Sequence, residues 1–292
     1  MTYAALIRAV LALSGGLEPG PEPVSAWGDQ GENDPVCRLF RSQGGAAAFA
    51  AALTRTLFTI ARRLPEVAAV ELIPPISFGC LAGAREVKTP LTLPVPGCRG
   101  VSLRYRGRGT LLFGDVQKRL ARDTVASCRV VGRADMLTLS PDPGQTLWVW
   151  DVAPFGEGAT AATLPLLRGT EAIYDLSALC PRYAVALSVT KPARVVGDTL
   201  ILPRFRQEPV TLTAALFPPH ITADDVLQNG GGDEVPVPAA AAPALAWGVA
   251  ADLYAAEPDL PATLWREQFR QALDALPAVV AEGRVGDKRG WL

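Results

Sequence analysis

Phe49, Leu53, Leu57 and Ile60 recur every three or four residues across 45–64, while Arg55, Arg62 and Arg63 fall on the other side. That spacing draws one apolar stripe along an α-helix, and Pro65 forbids its continuation. A shorter helix is expected over residues 2–13, with Leu6, Val10 and Leu13 on one side. Between the two helices, residues 15–35 mix Gly and Pro with Glu18, Glu22, Asp29, Glu32 and Asp34, a composition that predicts an exposed loop. Residues 67–73 read as a strand closed by Pro74-Pro75.

The middle of the chain changes period. Runs at 89–95, 101–106, 110–113, 127–131, 136–139 and 146–152 are short, β-branched or alternating, and separated by Gly or Pro. A hairpin turn is expected at Arg108-Gly109, and one helix, over 114–122, interrupts the strands. Further strands are expected over 183–189, 194–202 (with a turn at Gly197-Asp198) and 210–212. Strands that come in runs, not alternating with helices, argue against a doubly wound parallel sheet. The expected class is α+β: a β-rich central body of mostly antiparallel short strands, helices at the N-terminus and two helices at the C-terminus.

Those last helices are expected over 242–256 and 261–282. In the second, Leu264, Phe269, Leu273 and Val279 predict an apolar stripe, with Arg266, Glu267, Arg270 and Asp274 outside and Pro277 as a kink or stop. A Gly-rich stretch running into Val235-Pro236-Val237-Pro238 precedes them. The domain reading is therefore an α+β body over 1–228, a Gly/Pro linker over 229–240, and a C-terminal helical segment over 241–292 packed on the body.

Composition fills in the class. With 292 residues and 49% hydrophobic, the chain can bury a large core. Cys37, Cys80, Cys98, Cys128 and Cys180 are odd in number, widely spaced and never in a C-x-x-C pair, so free buried thiols in a reducing compartment are expected. No stretch is apolar enough to span a bilayer, and residues 9–13 are too short for a secretory core. The localisation expected is cytoplasmic, or particle-associated after assembly.

Charge adds the main functional hint. Residues 99–133 carry nine Arg or Lys against two acids, whereas 134–292 carry eleven against nineteen; the chain as a whole is at −1. A basic stripe in a near-neutral protein predicts an anionic partner. Arg104, Arg106 and Arg108 alternate along an expected strand and turn, so they should share a face, and Lys118, Arg119 and Arg122 follow on the expected helix. These six are the candidate contacts to nucleic acid or to an acidic protein partner. A solvated hairpin face, or docking of the chain's own acidic portion, is the plainer reading of the same charges. Trp148 and Trp150, two apart on one strand, share a face and are the candidate interface pair, although such pairs also fill cores.

Catalytic chemistry is sparse. His220 is the single histidine, and Thr222 with Asp225 beside it reads as a helix N-cap rather than as part of a catalytic group. Cys180-Pro181-Arg182 reads as a buried thiol at a strand entrance. No Walker A loop or dinucleotide fingerprint exists, Asp151 and Glu157 are too few to hold a metal, and no cofactor or metal site is expected. The expectation is a non-enzymatic structural or assembly subunit of a larger complex, such as a phage or virus particle component or part of a secretion or contractile machine. It would work through contacts with other protein subunits; nucleic-acid binding by the basic 99–133 segment is the alternative.

Overall fold

The structure, a computed structural model, describes residues 1–14, 43–76, 84–169, 171–203, 209–228 and 232–277. Along the chain the elements are α1 (Tyr3–Leu13), α2 (Gln43–Ala61), β1 (Glu66–Leu72), β2 (Arg85–Val87), β3 (Leu91–Phe113), β4 (Val116–Pro141) and β5 (Leu147–Phe155). They continue with β6 (Leu166–Arg168), β7 (Glu171–Asp175), α3 (Leu176–Leu179), β8 (Tyr183–Val189), β9 (Arg194–Val196), β10 (Thr199–Leu202) and β11 (Val210–Leu216). Last come α4 (Ala223–Leu227), α5 (Ala242–Leu253) and α6 (Ala262–Asp274). The α+β class with a β-rich middle and helices toward both ends is what the chain adopts. The segment 15–35, Cys37, Cys80 and residues 229–231 lie outside the described residues.

Packing divides the chain into two compact units, one from Met1–Glu66 with Leu216–Val280, the other built on Val67–Ala215. The expected body over 1–228 is thus shared between both units, and the helices after residue 241 belong with those of the N-terminus.

The helical unit is organised by α2. Phe49, Leu53, Leu57 and Ile60 are all buried, joined by Leu6, Ile7 and Val10 of α1, Val226 of α4, Leu245 and Val249 of α5 and Trp265 of α6. Burial of each such side chain contributes roughly 1.5–3 kcal/mol. The polar sides carry ion pairs: Arg55 with Asp252 at 2.6 Å and Arg63 with Asp274 at 3.1 Å. The α6 stripe differs from expectation by one position. Trp265 is buried and Leu264 is 55% exposed, because 265, 269 and 273 keep an i, i+4 spacing that Leu264 breaks. Val279 lies outside the described residues.

Residues 233–235, inside the expected linker, are pinned to the N-terminus. Tyr3 N–H donates to Asp233 O (3.0 Å), Val235 N–H donates to Met1 O (2.9 Å), and Val235 is buried. Thr222 and Asp225 form the anticipated capping box, each side chain meeting the other's backbone N–H.

The second unit holds three sheets, ordered β1-β11-β8, β6-β7-β10-β9 and β2-β5-β3-β4. The third is dominated by β3 and β4, an antiparallel ribbon that corrects two expectations. The runs expected at 89–95, 101–106 and 110–113 merge from Leu91 onward into one strand, so Arg108-Gly109 is not a turn; the reversal comes at Gly114-Asp115, with Gly114 at φ +57. Residues 116–122, expected as helix, are the first arm of β4, and Leu120 is the single buried residue there.

The ribbon coils until β4 returns on β3. Leu111 pairs with Lys118 on one edge and with Leu139 on the other, and Leu139 in turn pairs with Leu91. Leu103, Leu111, Phe113, Leu120, Leu137, Leu147 and Val149 fill the core so enclosed. Cys98, Cys128 and Cys180 are buried free thiols. Among the described residues no helix is long and apolar enough to cross a membrane.

Candidate functional site

One of the six basic candidates, Arg108, lies opposite Ala121 and stands apart; the other five separate into two places on the β3–β4–β5 sheet. The first is a face. Trp148 and Trp150 are each half-buried, while Leu147 and Val149 between and before them enter the core. Cross-strand neighbours share a face. In this register Arg104 lies opposite Trp150 and Arg106 opposite Trp148, with Glu86 on the far side of Trp148. The tryptophan pair and the arginine row therefore form one surface, with the Arg104 guanidinium 5.9 Å from the Trp150 ring centroid.

Arg104 is not free for a partner. Its Nη1 meets Asp151 Oδ2 at 2.8 Å and also donates to Gly169 O. A bulge makes that contact possible: Ser102 faces Ala153 and Arg104 faces Trp150, so Asp151 and Val152 together oppose Leu103. Asp151 occupies the left-handed position of the bulge at φ +47. Arg106 is exposed and, among the described residues, makes no ion pair.

The second place is an open groove of about 810 Å³ on β4. Between Gly107, opposite Arg122, and Tyr105, opposite Ala126, β4 inserts three residues against the single Arg106, and there the strand bends. The two arms then face each other. Lys118, Arg119 and Arg122 line one wall, Ser127, Arg129 and Val131 the other, with Leu166 at the rim. Lys118 Nζ crosses the gap to Arg129 O at 2.9 Å, and Arg129 Nη1 is held by Leu164 O at 3.1 Å. Beneath them burial pushes the Cys128 thiol above its ordinary range, against the opposing pull of the Lys118 ammonium.

The charge balance of the groove is uneven. Arg119 grips Asp142 with both Nη atoms (Nη1–Oδ1 2.5 Å), which holds the Asp142 carboxyl below the usual carboxylate range; Arg108 adds a weaker pull on the same group. Among the described residues Lys118, Arg122 and Arg129 have no carboxylate partner. Three uncompensated cations with the Thr124 and Ser127 hydroxyls beside them form a site suited to an anion.

Structure and sequence differ on membership. Lys118, Arg119 and Arg122 come together as expected, although from a strand rather than a helix, whereas Arg104 and Arg106 stand with Trp148 and Trp150 on another surface. Arg129 belongs to the basic run, yet only the bend of β4 reveals that it faces Arg122. Asp142 and Asp151, the counter-charges, lie outside the basic run in sequence, and no periodicity signals them. His220 is exposed, with the capping box beside it. No cluster of three or more His, Cys, Asp or Glu that could hold a metal exists among the described residues. Comparison with family models, curated proteins and solved structures finds no match to this chain.

Proposed function

We propose that this chain is a non-enzymatic assembly subunit of a larger complex that receives an anionic partner surface in the groove of β4. The observation that carries this reading is the set of uncompensated cations, Lys118, Arg122 and Arg129, along an open groove that Val131 and Leu166 also line. A guanidinium left without a carboxylate on the protein's own surface gains most from one brought by a partner, both in contact energy and in the rate of encounter. Sedimentation of the purified protein at low and high salt, alone and with polyglutamate, tests it. Association that weakens with salt and is lost in Lys118→Glu/Arg122→Glu supports the reading; a monomer indifferent to polyglutamate in every buffer overturns it.

A second reading, a nucleic-acid-binding subunit, is favoured by one observation: Trp148 and Trp150 are half-buried on a face shared with Arg104 and Arg106. Bases stack on such rings while an arginine such as the exposed Arg106 follows the phosphates. Quenching of tryptophan fluorescence by single-stranded oligonucleotides, lost in Trp148→Ala/Trp150→Ala, identifies this mode; absence of quenching removes it.

A further inference from the structure

We infer that the occupant of the β4 groove is the acidic segment of a second copy of this chain, residues 15–36, so that copies join head to tail. This rests on the reading that the groove takes an anionic partner, and it names that partner.

Three observations converge. The groove presents Lys118, Arg122 and Arg129 with no carboxylate partner among the described residues. Over 126–131 β4 pairs with β3 alone and ends its sheet; on that open side the Lys118 ammonium holds Arg129 O, which leaves the cationic side chains to receive an acidic segment. The chain itself supplies a matching sequence: residues 15–36 hold Glu18, Glu22, Asp29, Glu32 and Asp34 and no Lys or Arg. Donor segment and receiving groove are different surfaces, so each contact is segment to groove and a copy that lends its segment can still receive one.

Complementation tests the inference. One full-length variant neutralises the segment (Glu18, Glu22 and Glu32→Gln, Asp29 and Asp34→Asn); the other reverses the groove (Lys118→Glu/Arg122→Glu). Circular dichroism checks that each is folded, and Arg122→Gln replaces the double variant should that one misfold. The expected result is that wild type self-associates, each variant alone associates at least about tenfold more weakly, and an equimolar mixture recovers a 1:1 complex, with one copy lending its segment and the other its groove. Unchanged self-association of the segment variant, or a mixture that stays monomeric, overturns the inference. Polyglutamate separates the two levels of the argument. If it binds wild type and not the groove variant while segment and self-association prove unrelated, the groove keeps its anionic partner and only its identity as residues 15–36 falls; if nothing anionic binds, both fall.

Discussion

Arg104 and Asp151 form a 2.8 Å ion pair that exists only because Asp151 sits in a β-bulge at positive φ. The carboxylate thus does two things: it holds the guanidinium near Trp150, and it tolerates a backbone conformation that bulky side chains resist. These roles are separable. Asp151→Asn keeps the tolerance and loses the charge, and is expected to cost about 1.5 kcal/mol, the lower end of the range for a hydrogen bond to a charged group. Asp151→Val loses both and is expected to cost about 3 kcal/mol. Urea denaturation of the two variants decides; equal costs would show that the backbone position is unstrained.

Gly114 and Gly144 share positive φ (+57 and +71), but their surroundings differ. A Cβ on Gly114 would lie 2.4 Å from Arg133 O, whereas one on Gly144 would meet nothing within 4 Å. Gly144→Ala is expected to cost about 1 kcal/mol, the left-handed penalty alone. Gly114→Ala must in addition displace backbone, and is expected to cost about 3 kcal/mol or more. Thermal denaturation of the pair measures the difference, and a Gly114→Ala variant no worse than Gly144→Ala would show that the ribbon yields there.

Acid exposes the Arg119–Asp142 pair. Its hydrogen bond to Arg119 holds the Asp142 carboxyl below its unfolded value, so its contribution to stability is complete above about pH 4 and is lost as pH falls through the native value. Asp142→Asn lacks that ionisation. The stability gap between wild type and variant is therefore expected to be constant near neutrality and to narrow below about pH 4. Denaturation midpoints of both proteins across that interval give the answer; a gap that widens with acid contradicts the pairing.

The capping box of α4 gives a control in the helical unit. Thr222 Oγ1 accepts from Asp225 N–H at 3.2 Å while the Asp225 carboxylate accepts from Thr222 N–H at 2.8 Å. Thr222→Ala is expected to cost about 1 kcal/mol and Thr222→Ser to cost little. Equal losses on calorimetry would mean that the methyl group matters, not the hydroxyl.

How much of this was legible beforehand depends on how many residues each element buries. The α2 stripe at 49, 53, 57 and 60 was visible because every member enters the core, and the β9–β10 hairpin because Gly197 and Asp198 mark its turn. Residues 116–122 misled because an edge strand with Leu120 as its one buried side chain has no period of two to display. Pairing with 107–113 decides the conformation there, and that pairing is invisible in a local window. The candidate site followed the same rule. Charge density located Lys118, Arg119 and Arg122, but their company with Arg129 depends on a bend created by three extra residues opposite Arg106. Arg104 and Arg106 were placed beside the tryptophans by register across strands, which composition does not encode.

Residues 110–113 are clasped by β4 along both edges, by its opening turn and by its closing one. The short reversal can zip up early because its partners are neighbours in sequence, whereas the return of 137–140 must wait until the whole ribbon has coiled. Amide protons in this clasp should accordingly exchange last of all in the second unit, and a nick anywhere in the ribbon should loosen the groove that the same coiling holds open.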